Sequence, residues 1–283
     1  MSAEHIKTVG IAGVGTMGQG IAQLCATSGF DVLLYDVRVD QIQKGISSIE
    51  ASLQKSVEKN KITLDVKAQS LARIKGCENR SELKADLIIE AALEKLDVKR
   101  ELFQIIEKNN PNSILTTNTS SIPVTQIASG IKNRDRFAGL HFFNPAPAMK
   151  LVEVIRGVET SLETVESLKN FSKNLGKTPV VAKDSPGFIV NRVARHYYVE
   201  ALKMLEENNA DIQTIDKLLK ASGFKMGSFE LMDLIGLDVN FSVTSSMFNA
   251  FHQDPKFRPN RIQQQKVDAG HLGFKSGKGF YNY

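Results

Sequence analysis

Along residues 8–182, short apolar runs alternate with longer stretches in which apolar side chains recur every three or four positions. The runs at 8–12, 31–35, 87–91, 113–117, 151–155 and 179–182 have the length and composition of buried strands, as does the run Phe137, Ala138 and Leu140 that leads into His141. Between them, Ile42, Ile46, Ile49, Leu53 and Val57 mark one face of a helix, and another helix is expected from Glu94 through Glu107. Thr160 and Glu163 have the spacing of a capping box for a third, with Val165, Leu168, Phe171 and Leu175 inward and Gly176 as its stop. Ser121, ahead of Ile122-Pro123, has the chemistry of an N-cap. Strands and helices in alternation predict an α/β domain with a mainly parallel sheet covered by helices.

The strand signal ends at Asp184-Ser185-Pro186-Gly187. Beyond it Ile189, Val193, Tyr197, Ala201 and Leu205 recur every four residues, which predicts a long helix carrying Asn191 in its first turns. Shorter helices are expected at about 212–222, 238–252 and 260–269. The expected organisation is therefore an α/β domain over 1–183 and an all-α domain over 184–283, closed by a glycine-rich tail with apolar anchors.

The first predicted strand runs into Gly13-Val14-Gly15-Thr16-Met17-Gly18, which opens a helix through Ala26. Glycines at 13, 15 and 18 fit GxGxxG: the first allows a tight turn, the second admits a pyrophosphate to the backbone, the third lets helix and strand pack closely. The helix N-terminus adds unpaired N–H groups and a positive dipole. Asp36 closes the second strand, where a carboxylate binds ribose hydroxyls and repels an extra phosphate, so the cofactor expected is NAD rather than NADP. These features predict a Rossmann-type dinucleotide-binding domain.

Composition narrows the partners. Two cysteines, Cys25 and Cys77, have no neighbour at metal-ligand spacing; they are expected to be reduced structural thiols, with no metal site. The polar N-terminus resembles no secretory signal, and no apolar run approaches the ~20 residues needed to span a bilayer, so a cytoplasmic protein without membrane attachment is expected. The formal net charge of +5 is compatible with anionic partners, but no run of adjacent basic residues points to nucleic acid. The excess lies between Arg38 and Lys75, with eight Lys or Arg against four Asp or Glu. There Ser52, Lys55 and Lys59 share a helix face able to meet an anionic ligand.

His141 stands where a strand gives way to the Asn144-Pro145 turn, the edge at which an open α/β sheet binds its ligands. Glu153 interrupts the apolar run 151–155; a carboxylate there is costly unless paired, and His141 is the natural partner. Asn118-Thr119-Ser120-Ser121 is a polar cluster at the same sheet edge.

GVGTMGQGIAQ (13–23), NTSS (118–121), HFFNPAPAMKLVEV (141–154), DSPGFIVNR (184–192), MGSFELMDLIGLDV (226–239) and KSGKGFYNY (275–283) together resemble the L-3-hydroxyacyl-CoA dehydrogenases, which include the bacterial 3-hydroxybutyryl-CoA dehydrogenases. The resemblance runs through both domains in the family's order. It implies His141 as catalytic base, Glu153 as its carboxylate partner, and Ser120 and Asn191 as active-site polar groups. It implies NAD contacts at Asp36, Glu94, Lys99, Ser120, Asn144 and Lys275, beside the glycine turn, and coenzyme A contacts at Ser52 and Lys59. The reaction implied is reversible oxidation of an L-3-hydroxyacyl-CoA to the 3-oxoacyl-CoA, in a homodimer with contacts made by the helical domain. Met226, Phe229, Leu231, Met232, Leu234, Ile235 and Leu237 crowd one stretch of that domain beyond what a single helix face can bury, which also favours a dimer.

Two departures bear on substrate. Thr117 stands where the family commonly has serine, and Arg192-Val193-Ala194-Arg195 is similar to dehydrogenases of phenylacetate breakdown that oxidise 3-hydroxyadipyl-CoA. The alternatives to a 3-hydroxybutyryl-CoA substrate are thus a dicarboxylic acyl-CoA, a free hydroxy acid, or, in another class, a catalytically silent NAD-binding structural protein.

Overall fold

A computed structural model describes residues 6–283, so the polar start at residues 1–5 lies outside the described residues. The chain forms two compact units, Met1–Ser185 and Pro186–Tyr283. The first begins β1 (Thr8–Ala12), α1 (Thr16–Thr27), β2 (Asp31–Tyr35), α2 (Val39–Glu58), α3 (Leu64–Ala72) and β3 (Ile74–Cys77). It continues through β4 (Leu87–Glu90), α4 (Leu96–Asn109), β5 (Ile114–Thr117), α5 (Val124–Ala128), β6 (Phe137–Phe142), β7 (Leu151–Arg156), α6 (Leu162–Asn174) and β8 (Thr178–Lys183). The eight strands form one sheet in the order β3-β2-β1-β4-β5-β6-β7-β8. Every pairing is parallel except β6 with β7, so β7 and β8 run against the other six. The expected mainly parallel sheet covered by helices is thereby observed.

The sheet's core is aliphatic: Val9, Ile11, Val32, Leu34, Leu87, Ile89, Leu140, Val152 and Val154 are fully enclosed. Ile42, Ile49 and Leu53 of α2 join it, as their spacing required. The 61–77 stretch, noted in the sequence only for its charge, holds α3 and the edge strand β3; neither carries a strong apolar pattern, because α3 buries little beyond Ser70.

Some local expectations need correction. Glu94 and Lys95 precede α4 rather than lying in it, with Lys95 at the N-cap. The cap of α6 is Ser161, whose hydroxyl accepts from Thr164 N, while the Thr160 hydroxyl donates to Phe137 O. Ser121 does not cap α5; Pro123 holds that position, and the Asp184 carboxylate accepts from Val124 N and Thr125 N. At α5 a long-range acceptor displaced the local one, and at α6 the cap moved by one residue because Thr160 is taken up by a long-range contact.

The second unit is all-helical: α7 (Val190–Glu206), α8 (Ile212–Ala221), α9 (Ser228–Ile235), α10 (Leu237–Ala250) and α11 (Arg261–Asp268). Its core gathers Tyr198, Leu202, Ile215, Phe229, Met232, Leu237 and Phe280. The four-residue stripe of α7 is only partly inward: Ala201 is buried and Tyr197 and Leu205 are half-buried, but Ile189 and Val193 are exposed, and Arg195, Tyr198 and Leu202 are buried beside it. The crowded 226–237 stretch became α9 plus the turn at Gly236 (φ 101°), which splits its apolar residues between inside and out. The tail is held by buried carboxylates: Asp233 accepts from Phe280 N and Tyr281 N, and Asp216 from the Tyr281 hydroxyl.

Candidate active site

Parallel register places Ala12, Tyr35, Glu90, Thr117 and Gly139 side by side at the C-terminal edge of the sheet. The glycine turn leaves β1 there. Gly13 has φ 105°, and a Cβ on it would lie 2.6 Å from Ala91 O; a Cβ on Gly18 would lie 1.8 Å from Gly13 O. Neither position tolerates a side chain. A Cβ on Gly15 would meet nothing within 4 Å, and Gly15 caps α1 with no side-chain cap and no acid in the first turn. Open space over unclaimed N–H donors at a helix start suits a pyrophosphate. Met17 packs against the core, so its contribution to this turn is its backbone.

Gly13, Gly15, Tyr35, Asp36, Arg38 and Arg80 help to line a cavity of about 510 Å³. Asp36 accepts from Val14 N at 2.9 Å and from Arg38 N at 3.0 Å, which fixes its carboxylate between glycine turn and cavity. Arg80 donates from Nε to the Tyr35 hydroxyl at 2.7 Å and is held at the cavity wall, a role no sequence pattern announced.

His141 and Glu153 are cross-strand partners in the antiparallel β6–β7 pair. Partners in such a pair project to the same face. His141 Nδ1 lies 2.8 Å from Glu153 Oε2, and the two residues are 6% and 1% exposed. The Phe143 ring lies 4.6 Å from the imidazole, between centroids. Glu153 is fully buried in an otherwise aliphatic strand, and the imidazole is a polar partner that such a carboxylate requires.

The Asn118–Ser121 loop is pinned from two sides. Glu94 Oε1 accepts from the Thr119 hydroxyl (2.6 Å), Ser120 N (3.0 Å), Ser121 N (3.2 Å) and the Ser121 hydroxyl (3.1 Å). Asn118 Oδ1 accepts from Phe142 N at 2.8 Å, one residue beyond His141. Burial works to raise the Glu94 carboxyl, but the Lys99 charge and the Thr119 and Ser120 donors outweigh it and hold it below the ordinary carboxylate range. Lys99 is 1% exposed, with Nζ 2.6 Å from Glu90 Oε1 and 3.1 Å from Glu94 Oε2.

A second cleft of about 180 Å³ is lined by Thr16, Gln19, Ser48, Ser52, Asn144 and Pro147, among others. Asn144 thus faces the same cleft as Ser52. Lys177 shapes its wall: the buried ammonium donates to Ala146 O, Pro147 O and Met149 O. Lys59 is the exposed C-cap of α2, on from Ser52 and Lys55. Asn191 and Lys275 belong to the helical unit, Asn191 in the first turn of α7 and Lys275 paired with Asp238 at 2.7 Å. Glu90 and Lys177 were not singled out from sequence; Glu90 had a signal, an acid ending an otherwise apolar strand, and Lys177 had none.

Taken together, the glycine turn, the acid closing β2 and a buried imidazole–carboxylate pair at the sheet edge define an NAD-dependent oxidoreductase. Residues 8–185 match the family "3-hydroxyacyl-CoA dehydrogenase, NAD binding domain", and residues 187–283 match "3-hydroxyacyl-CoA dehydrogenase, C-terminal domain". The chain belongs to the 3-hydroxyacyl-CoA dehydrogenase family. It is 50% identical over 282 residues to a 3-hydroxyadipyl-CoA dehydrogenase of Escherichia coli, covering 99% of this chain but only 59% of that protein. It is 40% identical to a 3-hydroxybutyryl-CoA dehydrogenase of Bradyrhizobium diazoefficiens, covering 99% of this chain and 97% of that one. The crystal structure of (S)-3-hydroxybutyryl-CoA dehydrogenase from Ralstonia eutropha superposes with TM-score 0.94 at 43% identity, over 98% of this chain and 99% of that chain. Among the described residues no helix is long and apolar enough to cross a membrane.

Proposed function

We propose that this chain oxidises an L-3-hydroxyacyl-CoA of the 3-hydroxybutyryl type, reversibly, to the 3-oxoacyl-CoA. The observation that carries the reading is the buried His141–Glu153 pair beside the pinned Ser120 loop. When bound, NAD supplies the acceptor for the hydride on C3. His141 takes the hydroxyl proton at Nε2, because Nδ1 is committed to Glu153. Glu153 fixes that tautomer and stabilises the imidazolium as it forms. Ser120 and Asn191 orient the reacting oxygen. Gly13, Gly15, Thr16, Met17, Gly18, Asp36, Glu94, Lys99, Asn144 and Lys275 serve the cofactor, and Ser52 and Lys59 the coenzyme A. The helical unit is proposed to form the homodimer, using apolar side chains it leaves exposed, among them Leu218, Phe224 and Leu234. Light scattering should then give about twice the 31.2 kDa chain mass; a clean monomer would remove that part of the reading.

The E. coli relative's name supports 3-hydroxyadipyl-CoA as a second reading. Of the two arginines in the 192–195 run, Arg195 does not add to that support. Arg195 is 3% exposed and donates from Nη1 to Asn240 O and the Thr244 hydroxyl, and burial lowers its pKa to about 10. It is occupied inside the helical unit. NADH formation should be followed with 3-hydroxybutyryl-, 3-hydroxyhexanoyl- and 3-hydroxyadipyl-CoA and with free 3-hydroxybutyrate. The proposal expects the highest kcat/KM with 3-hydroxybutyryl-CoA. A higher value with the adipyl substrate selects the second reading, equal rates with the free acid exclude a coenzyme A site, and no turnover with any leaves a silent NAD-binding protein.

A further inference from the structure

Glu90 is fully buried at the end of β4 and touches neither the cavity nor the cleft described above. Its carboxylate is nonetheless saturated. Oε1 accepts from Lys99 Nζ (2.6 Å) and from Ala92 N (2.7 Å), and Oε2 accepts from the Thr117 hydroxyl (2.7 Å). Its own carbonyl accepts from Asn118 N at 2.8 Å. From Glu90 the contacts run in one line: to Lys99, from Lys99 to Glu94, and from Glu94 to Thr119, Ser120 and Ser121. Asn118, at the head of that loop, holds the amide next to His141. The same carboxylate also fixes Ala92, whose neighbours Ala91 and Leu93 line the cofactor cavity with it.

We propose that Glu90 is a positioning residue for hydride transfer: it anchors Lys99 so that Glu94 can hold the Ser120 loop in register with His141. The inference rests on the proposed dehydrogenase reading. Its physical basis is charge. Lys99 is buried between two carboxylates, and a buried ammonium goes where negative charge remains. With Glu90 neutral, Lys99 is drawn wholly to Glu94 Oε2, which turns that carboxylate and shifts Oε1 away from its loop donors. The loop carries Ser120, and misplacement of reacting groups by about 1 Å costs on the order of a hundredfold in rate.

Two variants and one isotope measurement test this. Glu90→Gln keeps the shape and can keep the contacts to Ala92 and Thr117 but removes the charge that holds Lys99; Glu90→Asp keeps the charge and draws it back by one methylene. With 3-hydroxybutyryl-CoA and NAD, Glu90→Gln should lower kcat by roughly tenfold to a hundredfold, with a smaller change in KM for NAD. Glu90→Asp should lie between it and wild type. With substrate deuterated at C3, the isotope effect on kcat should rise in both variants above the wild-type value, because a misplaced loop slows hydride transfer itself. Folded Glu90→Gln or Glu90→Asp protein with kcat within threefold of wild type and an unchanged isotope effect would show that Glu90 only packs. If Glu90→Gln does not fold, Glu90→Asp decides the matter by the same two readouts. Wild-type turnover in the same assay separates failure of this inference from failure of the dehydrogenase reading.

Discussion

Replacing Glu153 with Gln isolates the electrostatic part of the His141–Glu153 pair. The amide has nearly the volume of the carboxylate and can still accept from His141 Nδ1, so the 2.8 Å contact and the cross-strand register should persist. The negative charge disappears. With the interacting charge centres about 4 Å apart, and an effective dielectric of about 20, the attraction withdrawn from a developing imidazolium is about 4 kcal/mol. Reorganisation recovers part of that, so the net cost is about 3–4 kcal/mol, or roughly 10²–10³-fold in kcat. The neutral amide leaves no unpaired carboxylate behind in the buried site, so the thermal midpoint should move little. Steady-state kinetics with saturating NAD and a melting curve on the same preparation measure both quantities. A kcat within tenfold of wild type would mean that Glu153 contributes only its hydrogen bond, and the general-base assignment would lose its electrostatic support. A large fall in both kcat and melting temperature would instead make Glu153 a structural residue.

Asp36→Ala should raise KM for NAD by about tenfold and narrow the preference over NADP, since a charged hydrogen-bond acceptor and a source of phosphate repulsion leave together; an unchanged cofactor preference would remove Asp36 from the ribose site. Lys59→Ala should raise KM for the acyl-CoA by about two- to fivefold at low salt with kcat unchanged, and the difference should fade at high salt. Equal KM values at low salt would make this end of α2 plain solvated surface. The Ser120 loop should also loosen in acid. Glu94 has its carboxyl held below the ordinary range, so its stabilisation is present above the unfolded-state pKa of about 4.3 and is lost as pH falls through the lower folded value. Amide exchange at Ser120 and Ser121, followed from pH 6 down to pH 3, should show that loss, and Glu94→Gln should show it throughout; identical protection in the variant would exclude Glu94 as the loop's anchor.

Local chemistry accounts for much of what the sequence disclosed. Strands β1 and β2 could be read to the residue because buried strands of a parallel sheet are short and apolar on both faces. The glycine turn was legible because its steric demands act within a few residues, as the Gly13 and Gly18 contacts show. The His141–Glu153 pair was legible for a different reason: a carboxylate in an apolar strand needs a partner, and few were on offer. Tertiary structure decided the rest. Which oxygen caps α5 depended on Asp184, 60 residues from Val124, whereas the nearby Ser121 had the right chemistry and the wrong surroundings. Glu94, read as helical, lies before α4, and its carboxylate serves the 119–121 loop, a contact that exists only once β4 and β5 are neighbours. Glu90 and Lys177 show the limit most clearly. One acid at a strand end and one lysine after a helix are ordinary in a sequence. They become a buried hub and a three-carbonyl clamp only when the sheet has closed around them, because desolvation then makes every remaining polar contact obligatory.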